Sequence, residues 1–161
     1  MLNEIAEKYV KDNTKELNAL LTKLKPTFTE VEKLQEELRT IDEADVKSIR
    51  SIGKQLVSYF AVLYKSSQNL HALRHNKRVS FYYKRALEYD NGKVLGEDGK
   101  SAKSTADKLK NEAELFISDE RKVYYAIEGY VEGIKSSVMF CQSLLKEVRT
   151  QQSQNDFNEE S

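Results

Sequence analysis

Apolar residues recur along most of this chain in steps of three and four, the spacing that lines one face of an α-helix. Ile5, Tyr9, Leu17, Leu20, Leu21 and Leu24 begin the series, with a polar gap around Asn13. Pro26 is expected to close this first helix, because it lacks an N–H and its ring crowds the preceding turn. Thr27 or Thr29 can then cap a second helix carrying Val31, Leu34, Leu38 and Ile41. Residues 1–44 therefore read as an N-terminal helical hairpin.

Over 45–89 the same rhythm runs through Ile49, Ile52, Leu56, Tyr59, Leu63, Ser66, Leu70 and Leu73, predicting one long helix with a narrow apolar stripe. A helix of about 45 residues is roughly 65 Å long, so part of it is expected to pack on partners. Asp90, Asn91 and Gly92 signal a helix stop, and 90–101, with Gly96 and Gly99, reads as a Gly-containing loop or small hairpin. Residues 102–149 carry the C-terminal helices. Ser101, Ser104 or Thr105 can cap a short one with Ala106, Leu109, Ala113 and Phe116 inside. Ser118 then opens the last, along which Val123, Ile127, Tyr130, Ile134, Ser137, Cys141, Leu144 and Val148 form a second seam. Gly129 and Gly133 beside this seam are expected to admit a neighbouring helix closely, and 151–161, polar and acidic, reads as a disordered tail.

Composition agrees with an all-α fold of long antiparallel amphipathic helices forming a bundle or coiled coil. Among 161 residues there are one Pro and six Gly, and helix formers dominate. The length fits a single helical domain over 1–150. No apolar run reaches the ~18 residues needed to cross a bilayer, and the start MLNEIAEKYVKD lacks a signal-peptide pattern, so a cytoplasmic location without membrane contact is expected. Cys141 is the sole cysteine; with Val138 and Leu145 nearby it reads as a buried thiol. There is no Gly-rich phosphate loop and no paired-cysteine spacing, so neither a catalytic centre nor a cofactor is expected. His71 and His75 lie one helical turn apart without a carboxylate at ligand spacing, and read as solvated or DNA-facing.

Charge is balanced overall, 26 basic against 26 acidic side chains, but unevenly distributed. Residues 30–45 hold seven acids against two bases, and residues 74–93 hold six bases against two acids. On a helix, Arg74, Lys77, Arg78, Phe81, Lys84 and Arg85 fall on one broad face, with Tyr82 at its edge, and Val79, Tyr83, Ala86 and Leu87 on the other. Cations that follow a phosphate backbone, with aromatic rings on which bases stack, suit single-stranded nucleic acid. The same pattern also fits a solvated charged face whose tyrosines complete the core. The first reading requires the cations to point into solvent; pairing with the acids of 30–45 would leave only a scaffolding role.

Lys84-Arg85-Ala86-Leu87-Glu88-Tyr89, followed by Gly92 in a loop and by the closing helix FISDERKVYYAIEGYVEGIKSSVMFCQSLLKEVR, resembles the UvsY-like recombination mediators of tailed phages. That family shows a basic-leucine-acidic-tyrosine motif of the form Lys-Ala-Arg-Leu-Asp-Tyr-Tyr at the end of a long helix. Here the arginine stands one position earlier. The resemblance implies a ring-like homo-oligomer that binds single-stranded DNA and helps a RecA-like recombinase replace single-strand-binding protein, in the host cytoplasm if phage-encoded. It carries Lys84 and Arg85 over as DNA contacts; Arg74, Lys77, Arg78, Tyr82 and Lys93 join them from spacing alone. The competing expectation is a helical structural or adaptor protein, such as a phage assembly factor or chaperone, that binds no DNA.

Overall fold

The structure, a computed structural model, describes the backbone of residues 2–159 and the side chains of Lys15 and of residues 17–154. The fold is all-α: α1 spans Leu2–Thr40, α2 Val46–Asp90, α3 Ala106–Phe116 and α4 Ser118–Glu159. Ile5 and Tyr9, the first members of the apolar series, have side chains outside the described residues.

The expected hairpin over 1–44 is instead one helix, because α1 continues through Pro26. The missing N–H deprives the Thr22 carbonyl of its helical partner, but Pro26 is exposed, so water can take that bond. Burial on both sides holds the helix together: Leu24, Val31, Leu34 and Leu38 are all at most 5% exposed. Each contributes about 1.5–3 kcal/mol on burial, which together outweighs the ~3 kcal/mol cost of an interior proline. Thr29 is no cap; its hydroxyl donates to the Lys25 carbonyl one turn back. The turn into α2 is closed by Asp45, whose carboxylate accepts from the Ser48 N–H at 3.0 Å and is held below the ordinary carboxylate range by its bonds to Ser48.

The described chain, read from sequence as a single domain over 1–150, packs as two compact units, and α2 and α4 contribute to both. The first takes residues up to Ser66 together with those from Ala126 onward. Its core includes Leu34, Ile49, Leu56, Leu63, Ile127, Ile134 and Cys141. Burial pushes the Cys141 thiol up, which makes it a packing residue. Phe28 stacks on Tyr130 at 4.3 Å between centroids, and the Tyr130 hydroxyl donates to Glu32. Gln35 donates to the Ser137 hydroxyl at 3.1 Å, so α1 and α4 run parallel here. A Cβ on Gly133 would come within 3.2 Å of the Gln35 side chain, the close approach expected of it, whereas Gly129 faces open space.

The second unit is Ser67–Tyr125. α2 ends where the sequence signals it. Lys93 N–H reaches the Glu88 carbonyl at 2.9 Å and Gly92 N–H the Tyr89 carbonyl at 3.0 Å, with Gly92 at φ +66°, the paired bonds of a Schellman motif. The following loop is a small hairpin, in which Leu95 and Ser101 form an antiparallel bridge. Thr105, one of three candidate caps, accepts the Lys108 N–H at 3.2 Å. Ile117, 2% exposed, joins α3 to α4 and bonds into both, donating to the Ala113 carbonyl and accepting from Arg121 N–H. Helical backbone extends beyond 149 to Glu159, into the segment expected to be a tail, which contains neither Gly nor Pro.

Because α1 tolerates Pro26 only through packing, Pro26→Ala is expected to raise unfolding stability by roughly 1–3 kcal/mol without changing helix content, measured by urea denaturation followed by circular dichroism.

Candidate nucleic-acid interface

The basic face of α2 does not point wholly into solvent. Phe81, expected between cations on the exposed side, stacks on Phe116 of α3 at 4.3 Å with rings 15° from parallel. This apolar anchor turns the cation-bearing side of α2 toward α3 and the start of α4. There the cations Lys77, Arg78 and Arg85 meet carboxylates of residues 112–120. The side expected to be core is correspondingly open: Val79 is 36% exposed, Leu87 61% and Tyr83 65%.

Two pairings lie deep. Lys77 Nζ is 3.1 Å from Glu120 Oε1, and Glu120 is 2% exposed, so removing Lys77 would take a cation from a buried carboxylate. Arg85 Nε lies 2.7 Å from Glu112 Oε2, and its Nη1 lies 2.9 Å from Glu88. Tyr89, buried, donates its hydroxyl to Glu112 Oε1 at 2.7 Å, and Arg85 also packs over the Tyr89 ring. The resemblance-derived contact Arg85 is thus committed to holding α2 against α3. Partial burial alone would push the Glu112 carboxyl up. Hydrogen bonds from Tyr89 and Arg85, with the charges of Arg85 and Lys108, outweigh this and hold it below the ordinary 4.5.

Other cations remain at the surface. Arg74 packs its guanidinium over the Tyr124 ring at 4.7 Å, with Nη2 3.4 Å from His71 Nδ1. Arg78, its side chain 46% exposed, reaches Glu114 at 3.0 Å. Arg74 and Arg78 line one cleft of about 300 Å³ with His71, His75, Arg121 and Glu114. Three guanidiniums against a single carboxylate leave it net positive before either imidazole is protonated. A neighbouring cleft of about 280 Å³ is lined by Arg78, Tyr82, Tyr83, Lys110 and Glu114, with the two tyrosine rings edge to face at 5.7 Å. Arg78 and Glu114 belong to both. A cationic wall beside exposed aromatic rings can hold a phosphate and stack a base.

Of the seven expected site residues, the structure brings together Arg74, Arg78 and Tyr82. Lys77 and Arg85 serve the internal ion pairs. Lys84 is exposed on α2, and Lys93 is exposed in the turn after it. Sequence reasoning missed Arg121 and Lys110, and it did not count Tyr83 among the site residues although its ring lines the second cleft. One signal pointed to Arg121: it sits in the first turn of α4, where the helix dipole disfavours a cation, so it needs a carboxylate from elsewhere. Among the described residues no group of three or more His, Cys, Asp or Glu could hold a metal ion, and no helix is long and apolar enough to cross a membrane.

A carboxyl held low in the folded state contributes stability above its unfolded value and loses it as pH falls through the folded value. Acidification below about pH 4.5 should therefore loosen the second unit, and Glu112→Gln should both flatten that acid loss and cost roughly 1–3 kcal/mol at neutral pH. Thermal melts between pH 7 and 3 read both effects.

No family model, curated protein or solved structure matches this chain.

Proposed function

We propose that this protein is a single-stranded DNA-binding recombination mediator, acting without catalysis, whose contact surface is the pair of clefts sharing Arg78. The observation that carries the reading is the cleft of Arg74, Arg78 and Arg121 with two imidazoles around one carboxylate, set beside tyrosine rings. Guanidiniums match phosphate geometry, and an open aromatic edge accepts any base, which favours single strands over duplex. The loading of a RecA-like recombinase onto DNA covered by single-strand-binding protein follows from the resemblance at residues 84–89. Lys84 and Lys93, both exposed, are the further phosphate contacts of this reading.

Few phosphate contacts per subunit give modest affinity, so repetition in a homo-oligomer, ring-like by the resemblance, supplies the rest. The face of α2 bearing Leu87, which is exposed and lines neither cleft, offers apolar area for that assembly. The same face, with Lys77 and Arg85 already neutralised inside the chain, favours the second reading, a helical adaptor that binds a protein helix and no DNA.

Fluorescence anisotropy with a labelled single-stranded oligonucleotide separates the two. Micromolar or tighter binding at low salt, lost as salt rises, is expected, with at least tenfold weakening in Arg74→Ala combined with Arg78→Ala. Arg85→Ala is expected to lower melting temperature. Absence of salt-sensitive binding favours the adaptor.

Light scattering tests the assembly. Leu87→Glu is expected to reduce the subunit number relative to the wild-type protein, and an unchanged mass would remove this face from the interface.

A further inference from the structure

Three carboxylates of α3 and α4 meet the cations of α2, and Glu114 differs from the other two. Glu120 is 2% exposed against Lys77, and Glu112 holds Arg85 and Tyr89 together while partly buried. Glu114 splits its two oxygens between arginines of two helices: Oε1 accepts from Arg78 Nη1 at 3.0 Å and Oε2 from Arg121 Nη1 at 3.2 Å. All three side chains are open, Glu114 at 35%, Arg78 at 46% and Arg121 at 44%. Pairs this exposed contribute little net stability, so they break readily.

A phosphodiester offers what Glu114 offers: two oxygens a short distance apart, sharing one negative charge, each able to accept from a guanidinium. Arg74, in the same cleft, has no carboxylate partner among the described residues and is held by Tyr124 and His71 instead. We infer that Glu114 occupies the phosphate seat of the cleft in the free protein, and that a backbone phosphate of single-stranded DNA displaces it to take Arg78 and Arg121, with Arg74 alongside. The inference rests on the DNA-binding reading above and adds its regulation. Glu114 keeps the two arginines compensated and positioned when no DNA is present, and it sets affinity by competing for them. Because it lines both clefts, its departure also joins the arginine cleft to the tyrosine rings.

The test is oligonucleotide anisotropy at moderate salt on wild type and Glu114→Gln, which removes the charge and keeps the size. Affinity is expected to rise roughly three- to tenfold, with a salt dependence steeper by about one phosphate's share. Adding Arg78→Ala and Arg121→Ala should abolish the gain. Glu97→Gln, which removes an exposed acid from the hairpin loop, is the control for overall charge and should change affinity less than twofold. Glu114→Ala repeats the measurement with a better helix former, and melting curves follow every variant. A folded Glu114→Gln or Glu114→Ala that binds no tighter than wild type, or no tighter than Glu97→Gln, overturns the role of Glu114 and leaves the DNA-binding reading standing. Failure of both wild type and Glu114→Gln to bind at low salt overturns that reading itself.

Discussion

Opposite charges meeting across the seam between α2 and the two shorter stretches of helix packed on it organise the second unit. Lys77 with Glu120, Arg78 and Arg121 with Glu114, and Arg85 with Glu112 span that seam. An unpaired charge as buried as Glu120 would cost several kcal/mol, so the chain cannot rotate α2 away from this arrangement without replacing each partner. Phe81 on Phe116 supplies the apolar contact that makes the pairing geometry repeatable. No buried side-chain nitrogen or oxygen lacks a partner among the described residues, which fits a layer in which every charge is accounted for.

The same layer grades from committed to exchangeable. Where a carboxylate is buried and serves two donors, as Glu112 does, the cation is a structural element. Where all members are near the surface, as around Glu114, water and salt compete for the pairing. A protein with no net charge can therefore still carry a locally positive cleft, because local potential follows the uncompensated remainder of that cleft and not the sum over the chain.

Pairing the cations inward leaves an apolar face outward. Val79, Tyr83 and Leu87 follow one another at intervals of four along α2, as a helix presents residues to a neighbour. The first unit shows a comparable pattern, with Val57 and Tyr64 exposed and Phe60 stacked on Tyr64.

Periodicity and local chemistry left the loop or hairpin after α2 and the choice among three caps for α3 to the structure, but by themselves determined the helical class, the extent of α2, the stop at Asn91 and Gly92 and the buried Cys141. These depend on residues within a turn or two of one another, and their physics is complete in the local sequence. Pro26 marks the limit of that rule, since its local cost is real but burial of Leu24, Val31 and Leu34 against other helices outweighs it. Which face of α2 turns inward was decided only in three dimensions. The carboxylates that pair with Lys77, Arg78 and Arg85 lie 43, 36 and 27 residues further along the chain, and no window around 74–85 contains them. Spacing places cations on a common face; whether that face meets water or acid depends on what the tertiary fold brings opposite it.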